Sequence, residues 1–150
     1  AARHGVVRSD LERVRELTPL PIWVKGVLHP DDAVAIREGG FAGIIVSNHG
    51  GRSLDGVIAT LRVLPEVRAA VGDDFPVLVD GGIRSGMDVF KALASGADAV
   101  LVGRLQAYAL AVAGALGVAH LLRTLTEELQ LAMAMTGCED LAAVRSALLR

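Results

Sequence analysis

Two side chains suited to acid–base chemistry on a small organic acid lie three residues apart in the stretch SNHGGRSLD at residues 47–55. The imidazole of His49 can take up a proton near neutral pH, and the guanidinium of Arg52 can hold a carboxylate through two parallel hydrogen bonds. The two glycines between them let the backbone fold closely around a ligand. The stretch predicts a base and a carboxylate anchor, although a polar surface loop explains these residues alone equally well.

This stretch follows a short apolar run, FAGIIV at residues 41–46, which has the composition of a buried parallel strand. Proteins with parallel sheets place their chemistry at the carboxyl ends of such strands. The preceding candidate strand, residues 22–25, ends in Lys25, whose ammonium is costly to bury without an anion or a polar acceptor. A lone lysine there more often extends into solvent. Its equivalence to the His49 loop, one strand away, favours a functional role.

Two further strand ends carry groups that bind anions. The strand predicted at residues 76–80 runs into a turn with two glycines and an arginine, formed by Asp80, Gly81, Gly82, Ile83 and Arg84. The strand predicted at residues 97–102 is followed by Gly103 and Arg104, which open a helix. Each signal alone is explained by a turn. Together they occupy the last two strand–helix loops, where a barrel usually binds phosphate.

The rest of the chain is organised to position these loops. A capping box at residues 9–12 predicts a first helix to about residue 17. Further helices are expected at the following residues: 30–39, 57–71 with a break near Pro65, 87–95, 106–116, 118–135 and 141–149. Four strand–helix units in strict alternation predict a parallel sheet with right-handed crossovers. Either a doubly wound sheet or half of a (β/α)₈ barrel followed by C-terminal helices satisfies this pattern.

The bulk composition narrows the class of protein. The 150 residues suffice for one domain, and a net charge of −2 provides no basic surface for nucleic acid. The single cysteine, Cys138, fits a reducing cytoplasm, so we expect a cytoplasmic protein. No pair among His4, His29 and His120 has metal-ligand spacing, so we expect no metal site. The apolar run at residues 107–122 is short for a membrane span and is expected to be a buried helix. A hydrophobic content of 52% indicates that some apolar surface packs against something outside this sequence.

Lys25, the SNHGGR-x-LD stretch, the DGGIR turn and Gly103-Arg104, in this order, closely resemble the FMN-dependent α-hydroxy-acid oxidases and dehydrogenases, such as glycolate, lactate and mandelate or hydroxymandelate oxidase. The resemblance runs from about Leu11 to Leu141. It implies that residues 1–150 form the C-terminal half, strands five to eight plus C-terminal helices, of a flavin TIM (β/α)₈ barrel. The implied reaction is FMN-dependent oxidation of a 2-hydroxy acid to a 2-oxo acid.

The resemblance also implies roles for individual residues. His49 would be the base that takes a substrate proton as two electrons reduce FMN, and Arg52 would hold the substrate carboxylate. Lys25 would face the N1/O2 edge of the flavin, and Ser47 would contact the flavin too. The ribityl phosphate would be bound by Asp80, Gly81, Gly82, Ile83, Arg84, Gly103 and Arg104.

In one respect this chain departs from the family pattern, because the N-terminal half of the barrel has no match here. That half supplies substrate-binding tyrosines, a second arginine and the aspartate that orients the catalytic histidine. We therefore expect the isolated chain to be inactive and to pair with the missing half or with copies of itself. Two alternatives remain open, namely a non-catalytic flavin- or phosphate-binding half barrel that self-assembles, and another barrel enzyme such as a flavin-dependent isomerase.

Overall fold

The computed structural model describes residues 7–147, in which four parallel strands alternate with helices. The strands are β1 (Trp23–Val27), β2 (Gly43–Val46), β3 (Val77–Asp80) and β4 (Ala99–Leu101). The helices are α1 (Arg8–Glu16), α2 (Pro30–Glu38), α3 (Thr60–Val71), α4 (Gly86–Ala94), α5 (Arg104–Thr136) and α6 (Leu141–Arg145). The end of the last predicted helix, residues 148–149, lies outside the described residues.

The order of the strands decides between the two architectures that the sequence allowed. In the sheet the strands follow one another as β1-β2-β3-β4, the same order as in the chain, and every pair is parallel. A doubly wound sheet reverses its strand order at a switch point, whereas consecutive order is that of an arc of a barrel. The fold is therefore the half barrel predicted from the sequence.

The two faces of the sheet differ in burial. Alternate residues of the central strands, such as Ile44 and Val77, are fully buried in a core shared with α2 and α3. On the other face Trp23 is 38% exposed and Ile45 is only partly buried. A side chain on a strand alternates between faces, so the helix-covered face is complete and the opposite face remains open.

Several boundaries differ from those predicted, for local reasons. Helix α1 begins after Val7, whose N–H donates to Asp10 at 3.0 Å, so Ser9 is not the cap. Helix α3 begins at Thr60 and runs through Pro65 without a break. Pro65 lies on the exposed face, where water can satisfy the carbonyl that lost its partner, while the buried side of the helix holds its geometry.

Helix α5 corrects the prediction of a buried helix at residues 107–122. The uncharged run from Leu105 to Leu122 is largely exposed, and α5 kinks within this run at Ala113 and Gly114, where Gly114 has φ of 57° and ψ of −140°. By length and composition α5 could cross a membrane, and none of its most apolar 18-residue stretch is buried within the described chain. The kink divides the apolar run into two short arms, and the described chain leaves both without a cover.

A buried arginine, Arg68 of α3, closes the amino edge of the sheet. Its side chain is 10% exposed, and its guanidinium donates a hydrogen bond of 2.8 Å to Asp98. It also donates to three backbone carbonyls at 2.7–2.8 Å, those of Gly72, Phe75 and Gly96. This single side chain therefore satisfies carbonyls from two loops, the one between α3 and β3 and the one between α4 and β4.

Asp98, which precedes β4, has both carboxylate oxygens occupied. One oxygen accepts from Arg68 and from the N–H of Val77, and the other accepts from Arg145. Partial burial alone would raise the pKa of Asp98, but the hydrogen bonds from Val77, Arg145 and Arg68 and the charge of Arg68 outweigh burial. The pKa is held below its ordinary value of 3.8.

Candidate active site

The carboxyl ends of all four strands open into one cavity of about 640 Å³. Every residue proposed from the sequence as a site residue lines this cavity except Ser47, which is fully buried beneath it. The lining residues are Lys25, His49, Arg52, Asp80, Gly81, Gly82, Ile83, Arg84, Gly103 and Arg104. Four loops that are far apart in the sequence thus form one site.

An ion pair crosses the open face of the sheet within this site. The ammonium of Lys25 lies 2.5 Å from Oδ2 of Asp80. Lys25 pairs in register with Ile45, which pairs with Leu78, and Asp80 is two residues beyond Leu78 on the same face. The other oxygen of Asp80, Oδ1, is buried and has no hydrogen-bond partner among the described residues. A ligand that donates a hydrogen bond would satisfy this oxygen.

Ser47 connects the ion pair to the histidine loop. Its hydroxyl oxygen accepts a hydrogen bond of 2.6 Å from Lys25 Nζ and one of 3.1 Å from the His49 N–H. The hydroxyl proton of Ser47 remains available for donation. Ser47 therefore lies between the lysine and the histidine, in contact with both.

The loop that carries His49 has a constrained backbone. His49 is the only described residue other than glycine with a positive φ, 55°, and it begins a 3₁₀ turn, His49–Gly51. Asn48 holds this turn, because its side chain accepts from the Gly50 N–H at 3.0 Å and donates to the Ile58 carbonyl at 3.4 Å. A strained backbone held by its neighbours is typical of functional residues. The backbone conformation of this loop brings the imidazole of His49 to the same cavity as Arg52.

The turn after β3 is held by a residue that the sequence reasoning missed. Thr60, 3% exposed, donates from Oγ1 to the carbonyl of Asp80 at 2.7 Å. The turn itself needs glycine, because Gly81 has φ of 91° and a Cβ there would lie 3.1 Å from the Asn48 side chain. In the sequence Thr60 gives no sign of this role, since a threonine at the start of a helix is unexceptional.

Two helix N-termini reach this edge of the sheet, and they differ. At α4 the amide groups of Arg84 and Ser85 already donate to Asp88 at 2.9 and 3.0 Å, and the Gly86 N–H donates to Glu128. At α5 no side-chain cap is present among the described residues, and the helix begins with Arg104.

The edge near α5 is therefore the part of the site whose groups best suit an anion. An uncapped helix N-terminus offers free amide donors and a positive dipole end. Gly82 and Gly103 have no described atom within 4 Å of the position a Cβ would take, so a ligand can approach their backbone. Arg84 and Arg104 line the same space. The cavity wall also includes Tyr108, 61% exposed, which no sequence signal singled out.

The last two loops of this barrel arc offer groups that suit an anion, and a lysine, a histidine and an arginine lie at its earlier strand ends. This arrangement is typical of phosphate-binding barrel proteins. The sequence profile of FMN-dependent dehydrogenases matches residues 2–150. The chain belongs to the FMN-dependent dehydrogenase family.

Individual relatives agree with this assignment. The L-lactate oxidase of Alicycliphilus denitrificans is 63% identical over 142 residues, which are 95% of this chain and 39% of that protein. An L-lactate dehydrogenase of Caulobacter vibrioides is 50% identical over 94% of this chain and 37% of its own length. The crystal structure of mandelate oxidase with benzoyl-formic acid superposes with a TM-score of 0.89 at 51% identity, covering 93% of this chain and 42% of that one. The chain thus spans about two fifths of the length of these relatives.

Proposed function

We propose that this chain is the C-terminal half of an FMN-dependent enzyme that oxidises a small 2-hydroxy acid to a 2-oxo acid. The observation that carries the proposal is the convergence of Lys25, His49 and Arg52 on one cavity with an anion-binding edge. Oxidation of a 2-hydroxy acid removes two electrons and two protons, so it needs an electron acceptor, a base and a carboxylate anchor. The relatives named as lactate and mandelate oxidases support this substrate class.

The residues present fit FMN. The free amides of α5 with Arg84 and Arg104 suit its phosphate. Oδ1 of Asp80, which has no partner among the described residues, can accept from a ribityl hydroxyl. Lys25 adds a positive charge on the open face of the sheet, where an electron-rich ring would be stabilised. When bound, FMN would supply the acceptor for the two electrons.

The protein groups would do the rest of the chemistry. Arg52 would bind the carboxylate of the substrate through its two parallel donors. This contact would place the substrate carbon that carries the hydroxyl beside His49, where a ring nitrogen can take a proton. Asp80 would keep Lys25 in place, and Ser47 would hold Lys25 and the His49 backbone together.

The partner that we propose is the remaining part of the barrel. Strands β1 and β4 each have one neighbour in the described sheet, and the exposed run of α5 includes Val112, 85% exposed, and Leu116, 81% exposed. Unpaired strand edges and contiguous apolar surface favour association. We extend the proposal to a homo-oligomer of the whole protein and to a cytoplasmic location, which the single cysteine supports.

A second candidate is a half barrel that binds flavin or phosphate without catalysis. It is favoured by the difference between the parts of the site, because the anion-binding edge lies wholly within this chain. No described residue, by contrast, hydrogen-bonds the His49 ring. The two candidates differ in whether a hydroxy acid reduces bound flavin.

The test is to co-express the chain with the complementary N-terminal part of the Alicycliphilus denitrificans L-lactate oxidase. The purified complex is then mixed with L-lactate or mandelate without oxygen. We expect the yellow flavin absorption to bleach in the wild-type complex and to persist in His49→Ala, which retains FMN. A wild-type complex that holds FMN but does not bleach with either acid would favour the non-catalytic candidate.

A further inference from the structure

We propose that Gly26 is a positioning residue for His49, and that its lack of a side chain sets where the imidazole lies. The inference rests on the proposed role of His49 as the base. It concerns the residue that directly follows the strand predicted at residues 22–25. In the structure Gly26 lies inside β1, one residue after Lys25.

The backbone at Gly26 is irregular in a specific way. Lys25 pairs with Ile45 and Val27 pairs with Val46, so Gly26 is an extra residue in β1 and forms a bulge. Its φ is 101°, in a region that residues with a side chain rarely adopt. Bulges of this kind often lie beside active sites, where they redirect neighbouring groups.

The imidazole of His49 packs against the bare face of Gly26. A Cβ at Gly26 would lie 2.8 Å from His49 Cε1, closer than side-chain atoms approach, and 3.6 and 3.7 Å from Nε2 and Nδ1. The ring therefore occupies the space that a side chain at Gly26 would fill. Its carbon faces the glycine, while its two nitrogens lie further away.

This contact matters because, among the described residues of this chain, little else fixes the ring. Ser47 and Asn48 hold the backbone of the loop, but no described residue hydrogen-bonds the imidazole itself. A methyl group at Gly26 would displace the ring, since the tip of a histidine side chain moves easily. A displacement of about 1 Å at a reacting group can lower the rate on the order of 100-fold. The bulge thus acts on catalysis through His49 and not through contact with the substrate.

The contact can be tested in the chain without flavin or substrate. In an NMR experiment we expect a nuclear Overhauser effect between the Gly26 Hα and the His49 Hε1. The chain has 4 histidines, so the imidazole resonances are few and can be assigned by substitution. Absence of this effect in the folded chain would overturn the proposal, whatever the enzyme assay shows.

The consequence is tested with Gly26→Ala in the co-expressed complex described above. We expect kcat to fall about 100-fold and KM to change less than about threefold, because Arg52 still holds the carboxylate. The matched control is Gly56→Ala, which has a positive φ of 73° and no described atom near a Cβ. It should leave both constants within about twofold of wild type. Equal losses in the two variants, or a loss confined to KM, would overturn the proposal.

Failure of the proposed function is a separate outcome. If the wild-type complex oxidises neither hydroxy acid, the assignment of His49 as a base fails. The position of its ring is then still measured by the Overhauser effect and by the shift of the Hε1 resonance in Gly26→Ala. If Gly26→Ala does not fold, the wild-type Overhauser effect alone decides whether the contact exists.

Discussion

The two edges of the same four-stranded sheet are built differently. At the amino edge Arg68 and Asp98 hydrogen-bond each other. Arg68 also donates to loop carbonyls, and Asp98 also accepts from a strand amide and from Arg145. At the carboxyl edge Asp80 keeps one buried oxygen without a described partner, and α5 begins without a side-chain cap. Polar groups that satisfy one another contribute to stability. Groups left free can satisfy a ligand.

The difference extends to the backbone. At the carboxyl edge His49 and the bulge at Gly26 both adopt positive φ, and two glycines follow β3. Strain of this kind is tolerated where neighbouring contacts enforce it, here through Asn48, Ser47 and Thr60. One sheet therefore has an edge that stabilises the fold and an edge arranged for chemistry.

The largest effect is expected at the amino edge. Arg68→Met should lower the free energy of unfolding by about 3–5 kcal/mol, because it leaves Asp98 and three carbonyls short of a partner. Urea denaturation measures this loss. Arg62→Met, on the exposed face of the same helix, is the control and should change stability by less than about 0.5 kcal/mol. Similar effects from the two variants would mean that the buried network contributes little.

A substitution at the carboxyl edge should show the reverse pattern. Asp80→Asn should change the free energy of unfolding by less than about 1 kcal/mol, since Lys25 is 38% exposed and can be hydrated. The affinity for FMN in the co-expressed complex should fall about 10–100-fold, because a charged acceptor is lost. Flavin fluorescence titration gives the affinity. A variant that folds with clearly lowered stability but retains its FMN affinity would contradict the division between the edges.

How far the sequence could predict this molecule depends on the kind of contact. The site was predictable because parallel strands end at a common edge. The polar residues at or just after the predicted strand ends, residues 25, 46, 80 and 102, must therefore converge. The Arg68–Asp98 pair was not, since 30 residues separate the partners and neither lies in a motif. The contact of Gly26 with His49 depends on a bulge, which no periodicity reveals. The prediction that residues 107–122 form a buried helix was wrong, because composition shows which residues are apolar but not which surface covers them.

The amino edge should also set the acid stability of the chain. The pKa of Asp98 is lowered by folding, so its contribution is present above the ordinary pKa of 3.8 and is lost as the pH falls through the lower, folded value. We expect the free energy of unfolding to decline below about pH 4, by about 1.4 kcal/mol for each unit by which the two pKa values differ. Asp98→Asn should reduce this decline in urea denaturation between pH 3 and pH 5, ~1 unit either side of the carboxyl pKa. An unchanged slope would assign the acid sensitivity to other carboxylates.

The smallest effect tests how the turn after β3 is supported. Thr60→Val removes the hydroxyl that donates to the Asp80 carbonyl but keeps the shape, so FMN binding should weaken about fivefold. Thr60→Ser keeps the hydroxyl and should restore affinity to within about twofold of wild type. Thr126→Val, which loses a bond to Leu122 within exposed α5, is the matched control and should leave FMN affinity unchanged. Equal affinity in the Val and Ser variants of Thr60 would show that the hydroxyl does not position the turn.

The most direct test compares one arginine from each edge by the visible spectrum of the co-expressed complex. Arg104 opens α5 at the carboxyl edge, and Arg145 binds Asp98 at the amino edge. The account predicts flavin absorption in the wild type and in Arg145→Gln, and its loss from Arg104→Gln after desalting. Flavin retained in full by Arg104→Gln, or lost equally from both variants, would contradict the claim that the carboxyl edge alone is built to bind the cofactor.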